Sequence, residues 1–417
     1  MRSGRIEFAT QDNFRFEIAP QGVFSTCMNS SLGFQWIGLV LLGALLPTSR
    51  ALAEKPTSDR SQRVYIGTYT GAKSKGIYLA HFDSATGKLG RPELAAETKH
   101  PTFLALHPNG RFLYAVNETG DFGGKNQGSI SAFSIDPSNG SLSLLNQQPS
   151  GGSGPCHLTV DKKAKCVLAA NYGSGSIAAL PLLPDGRLSE PATVIQNRGS
   201  SINARRQTGP HAHFIAPDPA NRFALACDLG LDKVLVYRLN PTQAGLTACD
   251  PPSVSVKPGS GPRQLAFGHR GRFIYLLNEL SCDVTVFDYT AHQGVLKEVQ
   301  TISTLPTDFK DQNTCAEVEL HPTGKFLYAS NRGHNSIAAY SIDKATGKLN
   351  LLEYCSTQGK TPRHFALAPN GRWLLAENQD SDSIVVFAVD PATGRLTPTD
   401  QSVSVGSPVC AVFAKEK

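Results

Sequence analysis

Residues 262–278 read PRQLAFGHRGRFIYLLN, and residues 362–378 read PRHFALAPNGRWLLAEN. Each segment begins with Pro-Arg, continues as a short apolar run, breaks at a polar turn containing Gly-Arg, and resumes as a second apolar run that ends in Asn. Short runs of β-branched and aromatic residues bounded by Gly, Pro and Asn are typical of strands. Each segment is therefore predicted to form a β-hairpin.

The same hairpin pattern recurs along the chain at intervals of 46 to 55 residues. Its copies start at Pro101, Pro155, Pro210, Pro262, Cys315, Pro362 and Pro408, and the last copy is truncated to PVCAVFA. A third, alternating run such as SISAFSI or SIVVFAV and a short fourth run follow each complete hairpin. Self-similarity at this period indicates a repeat fold, and four antiparallel strands per repeat indicate the blade of a β-propeller.

The two ends of the chain complement each other. The truncated C-terminal copy supplies only a first strand, whereas the runs RVYIGTY, GIYLAHF and KLGRPEL near residue 63 supply three strands without a first one. Joined, they make one blade and leave no open sheet edge. The sequence therefore predicts an all-β, seven-bladed β-propeller with four antiparallel strands per blade and one blade closed by both termini.

The first 53 residues differ from the rest. Residues 32–47 form an apolar run too short to span a bilayer comfortably, and Ala51-Leu52-Ala53 fits the small-x-small pattern of signal peptidase sites. We predict a leader at residues 1–53, a single propeller domain at 54–417, and an exported or periplasmic protein. Three alternatives stay open: a start at Met28, a retained leader that anchors the protein to a membrane, and a cytoplasmic protein without a signal peptide.

Charge and motifs exclude several classes of function. The chain carries a formal net charge of +6, and its basic residues are not clustered beyond pairs such as Arg205-Arg206, so we expect no nucleic-acid partner. It contains neither a Gly-rich phosphate loop followed by Lys nor a GxSxG elbow, so serine-hydrolase chemistry is not indicated. We expect no cofactor.

Eight cysteines follow the leader, widely spaced and without a CxxC pair. This spacing indicates neither a zinc site nor a redox pair. We expect most of them to be small apolar residues within strands, although export would permit disulfides.

The repeat brings distant polar residues to one place. In a propeller the first strand of each blade lines the central channel, so the two positions after each starting proline should meet at one mouth. The charged or imidazole side chains at these positions are His157, His211, Arg263, Glu317, Arg363 and His364.

Glu279 and Arg332 follow the second strands of their blades and should return to the same mouth. Arg263 and Glu279, 16 residues apart, are expected to meet across one hairpin. A purely structural ion-pair network is the alternative interpretation. A metal site made of His157, His211, His213 and Glu317 is a weaker alternative. The neighbouring arginines would oppose a cation, so no metal is predicted.

The segments VYIGTYT, HPNGRFLYAVNE, GPRQLAF and SIDKATGKL resemble the seven-bladed lactonase family, over residues 63 to 415. The family's best-known activity is 6-phosphogluconolactonase, a step of the pentose phosphate pathway, and carboxy-cis,cis-muconate cyclase is a relative. The resemblance implies hydrolysis of a sugar δ-lactone by base-assisted attack of water. It implies catalytic roles for His211, Arg263, Glu279 and Arg332.

We add His157, Glu317 and Arg363 as substrate-binding residues. The arginines would stabilise the oxyanion or an anionic group of the substrate, with Glu279 or His211 as the base and Glu317 as a further candidate.

Export does not fit a cytoplasmic phosphosugar as substrate, so an unphosphorylated lactone or an acidic sugar derivative is also considered. Two other functions stay open: a muconate-type lactonising enzyme that binds carboxylates with the same arginines, and a non-catalytic exported propeller that binds a partner. We expect a monomer whose partner is a small, anionic lactone.

Overall fold

The computed structural model describes residues 61–414, which form seven antiparallel sheets, each ordered from a first, inner strand to an outer strand. The first sheet comprises β1 (Ser61–Thr68), β2 (Gly76–Asp83), β3 (Lys88–Leu89), β4 (Glu93–Glu97) and the last strand of the chain, β29 (Pro408–Phe413). The second comprises β5 (Leu104–Leu106), β6 (Phe112–Asn117), β7 (Ser129–Ile135) and β8 (Leu142–Pro149), and the third β9 (Pro155–Val160), β10 (Cys166–Asn171), β11 (Ser176–Pro181) and β12 (Thr193–Gln196). The fourth comprises β13 (Ala212–Pro217), β14 (Phe223–Asp228), β15 (Lys233–Asn240) and β16 (Gly245–Ser255), and the fifth β17 (Pro262–Phe267), β18 (Phe273–Asn278), β19 (Asp283–Thr290) and β20 (Val295–Ser303). The sixth comprises β21 (Thr314–Leu320), β22 (Phe326–Arg332), β23 (Ser336–Ile342) and β24 (Leu349–Ser356), and the seventh β25 (Pro362–Leu367), β26 (Trp373–Asn378), β27 (Ser383–Val389) and β28 (Leu396–Ser404). One-turn 3-10 helices span Phe122–Gly124, Pro241–Gln243, His269–Gly271 and Gln379–Ser381.

The seven first strands surround one central channel. Each of them contacts the first strand of the next sheet, in the order β5, β9, β13, β17, β21, β25, β29 and back to β5. Closure depends on the pairing of β29 with β1, in which Val64 lies opposite Phe413. The prediction of a seven-bladed propeller with one blade completed by both termini is confirmed.

The hydrophobic core lies between neighbouring blades. Tyr275 of β18 and Val286 of β19, for example, pack against Leu327 and Tyr340 of the sixth blade. All six residues of β18 are buried, which explains why second strands read as continuous apolar runs rather than alternating ones.

A β-bulge recurs near the start of the first strands. In the fifth blade Pro262 pairs with Asn278 and Gln264 pairs with Leu277, so Arg263 is an extra residue in its strand. The pairing skips Cys156, His213, Arg363 and Val409 in the same way. A bulge interrupts the alternation of side chains and re-aims them. Two consecutive residues of a strand can therefore both face the channel.

The predicted leader at residues 1–53 and its cleavage after Ala53 lie outside the described residues. Within residues 61–414, no helix combines the length and apolar character needed to cross a bilayer.

The eight cysteines of this range are free thiols, six of them buried, as expected for small apolar residues in strands.

Candidate active site

Arg263 and Glu279 are in contact across the first hairpin of the fifth blade. Arg263 Nε lies 2.9 Å from Glu279 Oε2, and the Arg263 side chain is only 4% exposed. The bulge turns Arg263 toward the channel, and its Nη1 also donates a hydrogen bond to the carbonyl oxygen of Ala316 in the next blade. The expected approach of Arg263 and Glu279 is therefore present.

Two further arginines converge on the same carboxylate. Arg332 Nη2 lies 3.1 Å from Glu279 Oε2, and Arg206 Nη2 lies 2.6 Å from Glu279 Oε1. Three guanidinium groups thus share one negative charge, which leaves two positive charges in excess. Burial alone would raise the pKa of Glu279, but Arg332 and Arg263 outweigh that effect and hold it well below its usual range. Glu279 is therefore a firmly ionised carboxylate.

Arg363 approaches from the seventh blade. Its Nη2 donates to the hydroxyl oxygen of Tyr69 at 3.0 Å, and its guanidinium carbon lies 5.3 Å from the centre of the Tyr69 ring. The Tyr69 hydroxyl in turn donates to Glu118, 2.9 Å away. Among the described residues, no carboxylate oxygen lies within 4.0 Å of Arg363, so its charge has no direct counter-ion.

Arg206, Arg332 and Arg363 line a cavity of about 250 Å³ at one end of the channel. Its lining consists of Glu118, Cys156, Tyr172, Arg206, His213, Glu279, Thr314, Arg332 and Arg363. Two buried polar atoms in this lining have no hydrogen-bond partner among the described residues: the Nε of Arg332 and the Nδ1 of His213. Buried polar atoms normally find a partner, so the hydrogen-bonding capacity of these two lining residues is incomplete within the described part of the protein.

The structure corrects the position predicted for His211. The sequence alignment placed His211 level with Arg263, but the residue paired with Asp228 is Ala212, so the bulged residue of the fourth blade is His213. The repeat copy is two residues longer here, and counting from its proline shifted the register. His213, 7% exposed, takes the channel position.

His211 lies just before the strand. Its Nδ1 is 2.9 Å from the carbonyl oxygen of Tyr172, and its ring stacks on the Tyr172 ring with centroids 4.5 Å apart. His211 does not belong to the cavity lining, whereas Tyr172, which it supports, does.

Next to this cavity is a narrow part of the channel with a volume of about 10 Å³, the space of one water molecule. Phe103, His157, Gln264, Glu317 and His364 line this narrow part, and Arg263, Arg363 and His213 border it as well. His157 lies between the rings of Phe103 and Phe214, with both centroid distances 4.3 Å. Burial lowers the pKa of His157 to about 3, so its imidazole is neutral.

The predicted site residues are divided between these two spaces. Glu279 and Arg332 line the cavity, His157, Arg263 and Glu317 line the narrow part, and Arg363 lines both. Sequence reasoning did not include Arg206, which lies in an irregular loop between the third and fourth blades. That loop has no counterpart in the repeat, so only the three-dimensional structure brings Arg206 to Glu279.

Comparisons with known proteins agree with this architecture. A sequence model of the family described as Lactonase, 7-bladed beta-propeller matches residues 63–413. The 6-phosphogluconolactonase of Bacillus subtilis (strain 168) is 36% identical over 84% of this chain and 97% of its own length. That of Formosa agariphila is 34% identical over 73% of this chain and 86% of its own.

A solved structure extends the comparison to the fold. The periplasmic gluconolactonase of Pseudomonas aeruginosa superimposes with a TM-score of 0.81 at 37% identity, covering 85% of this chain and 99% of that one. The chain belongs to the seven-bladed β-propeller lactonase family.

Proposed function

We propose that this protein hydrolyses a sugar δ-lactone in the cavity lined by Arg206, Glu279 and Arg332, with Arg263 paired to Glu279. The observation that carries the proposal is the sharing of Glu279 by three arginines, because this cluster has two positive charges in excess. Such a site favours an anionic substituent and the oxyanion that forms when water adds to a lactone carbonyl. The names of the related proteins support the same class of reaction.

In this mechanism the arginines stabilise the negative charge that develops on the lactone carbonyl oxygen when water adds to it. Arg332 lines the cavity, and its Nε–H has no acceptor among the described residues, so we assign this arginine to the oxyanion. Because Glu279 fixes the arginine side chains before the substrate binds, little reorganisation is needed as the charge forms. Removing one such donor from an oxyanion hole slows a reaction by roughly 10²–10³-fold.

We assign the proton transfer to His213 rather than to Glu279. Both oxygens of Glu279 contact arginines, so neither is free to accept a proton from water. Burial and Arg263 lower the pKa of His213 well below its usual value, so its imidazole is neutral, and its Nδ1 has no partner among residues 61–414. An anionic substrate would offset the arginine charges and strengthen His213 as a base toward the attacking water.

The same residues allow a statement about the substrate. A lactone with a phosphate or carboxylate group would use the excess positive charge, whereas a neutral lactone would use it only in the transition state. The periplasmic location named for the Pseudomonas relative is compatible with export of this chain, and with a substrate other than a cytoplasmic phosphosugar. The predicted leader lies outside the described residues, so export stays a prediction.

A lactone panel tests the proposal. Purified protein is mixed with 6-phosphogluconolactone, with glucono-δ-lactone and with a carboxylated sugar lactone, and each rate is compared with spontaneous hydrolysis in the same buffer. We expect clear acceleration of at least one lactone, with the lowest KM for an anionic one. Absence of acceleration for all three would contradict the proposal. A carboxylated muconolactone is assayed beside these three, and its turnover alone would favour the muconate-type alternative instead.

A further inference from the structure

A second group of polar side chains lies at the narrow part of the channel, which Arg263 and Arg363 also border. Glu317, Glu319 and His364 each present one ligand atom, and these three atoms all lie within 4.8 Å of one another. Glu317 and Glu319 alternate along β21, so they face the same side of that strand, and His364 comes from β25 in the adjoining blade. His364 Nε2 lies 3.6 Å from Glu317 Oε2.

A third acidic side chain, Glu377, contacts the other ring nitrogen of His364. Glu377 of β26 lies opposite His364 in the hairpin, and its Oε2 is 2.9 Å from His364 Nδ1. A carboxylate that accepts a hydrogen bond from Nδ1–H leaves Nε2 free to bind a metal ion, and metal-binding histidines usually have such a partner. Glu377 is fully buried, and its other oxygen, Oε1, has no partner among the described residues.

Burial raises the pKa of Glu317, Glu319 and Glu377, so without a cation these acids keep their protons. Glu317, Glu319 and Glu377 bring three carboxylates together. The one basic side chain in an ion-pair contact with Glu317 or Glu377, within the described range, is His364. The nearby Arg263 directs its Nε to Glu279 and its Nη1 to a backbone carbonyl. A buried carboxyl group either keeps its proton or is paired with a cation, and a divalent ion bound here would displace these protons.

We propose that Glu317, Glu319 and His364 bind one divalent transition-metal ion of the Zn²⁺ or Mn²⁺ class, with Glu377 as the positioning residue behind His364. One imidazole and two carboxylates suit these ions, whereas Ca²⁺ takes six to eight oxygen ligands. The ion would link the first strands of the sixth and seventh blades. This proposal departs from the expectation of no metal. Arg263 also borders the narrow part of the channel, but its Nε and Nη1 are directed to Glu279 and to the carbonyl oxygen of Ala316.

The test uses the full-length protein after treatment with EDTA and removal of the chelator. ZnCl₂ or MnCl₂ alone is titrated calorimetrically, and Tm is measured with and without each metal. We expect one ion per chain and a higher Tm with metal. In Glu377→Gln we expect metal affinity 10- to 100-fold lower, the range seen when a group that hydrogen-bonds to a metal ligand is removed. In Glu319→Gln we expect a larger loss of affinity.

A matched control separates loss of a ligand from loss of a buried acid. Asp161→Asn changes a buried carboxylate of the third blade whose oxygens accept backbone N–H groups outside this cluster, and it should bind metal as the wild type does. If the wild-type protein binds neither ion and its Tm is unchanged by both metals, the proposal is wrong. Equal metal affinity in the wild type and in Glu319→Gln would also overturn it.

Discussion

Glu279 and Arg263 form a buried ion pair across one hairpin, with 2.9 Å between Oε2 and Nε. The pair alone would be neutral and would attract no ligand. Arg332 and Arg206 change this, because they add two positive charges to the same carboxylate. Glu279 can therefore be understood as the counter-ion that allows three arginines to coexist in a small buried space, with charge left over for a substrate.

The first prediction concerns Glu279→Gln. Removing the carboxylate leaves buried guanidinium groups without their counter-ion, and breaking a buried pair in this way costs roughly 3–5 kcal/mol. We expect a clearly lower Tm and a kcat/KM reduced by about 100-fold or more, since the arginines lose their alignment. Thermal denaturation and the lactone assay measure the two effects.

An anion should partly restore the stability of this variant. Millimolar inorganic phosphate should raise the Tm of Glu279→Gln more than that of the wild type, because the anion replaces the missing charge. Glu353→Gln, which alters a surface pair with Arg395, serves as the control and should show no such difference. An unchanged Tm and activity in Glu279→Gln would show that the carboxylate does not organise the arginines.

The second prediction concerns Arg206→Ala. The Arg206 side chain is 36% exposed, so its removal should change Tm little, unlike removal of the buried Arg263. Loss of its charge should raise KM for an anionic lactone by about tenfold, the order expected for one charge-assisted hydrogen bond. KM for a neutral lactone should change much less. Steady-state kinetics with a matched pair of lactones measure this.

The neighbouring Arg205 provides the control for Arg206. Arg205 is exposed and makes no ion pair with a described carboxylate, so Arg205→Ala should leave both KM values unchanged. Equal effects of Arg206→Ala on the anionic and the neutral lactone would contradict a role in anion binding.

The repeat made much of this site predictable. The hairpin period identified the seven blades, and the position after each starting proline identified Arg263 and Arg363 as channel residues. The same reasoning placed Glu279 opposite Arg263, since antiparallel strands return to the same end. It succeeded because those copies have the same length, so that equal sequence offsets correspond to equal positions in space.

Two residues show where this reasoning fails. Counting from the proline selected His211 instead of His213, because the fourth copy contains two extra residues before its strand. The bulge that defines the register is set by backbone pairing and not by the proline. Arg206 lies in a loop outside the repeat, so no periodicity connects it to Glu279. Its contact depends on how the loop folds over the channel mouth, which the local sequence does not specify.

The third prediction compares His213→Gln with His211→Gln. If His213 takes the proton from water, its replacement should lower kcat by about 10²–10⁴-fold with little change in KM. His211 supports Tyr172 from outside the cavity, so His211→Gln should lower kcat by less than about tenfold, as a positioning residue would. Comparable losses in both variants, or retention of kcat in His213→Gln, would refute the assignment.

The fourth prediction concerns the dependence of stability on pH. The pKa of His157 is lowered by burial to about 3, whereas an unfolded histidine titrates near 6.5. Between these values the unfolded chain binds a proton that the folded protein does not, so His157 lowers stability as pH falls below 6.5. At pH 5 this loss amounts to about 2 kcal/mol relative to pH 8.

Replacing His157 should remove that share of the acid sensitivity. The difference in the free energy of unfolding between pH 8 and pH 5, from denaturant titrations, should be about 2 kcal/mol smaller in His157→Gln than in the wild type. Using a difference within each variant cancels the constant cost of disturbing the packing between Phe103 and Phe214. His292→Gln, at an exposed histidine, should keep the wild-type difference. If His157→Gln also keeps it, His157 is not held neutral by burial, and the narrow part of the channel is wetter than its volume indicates.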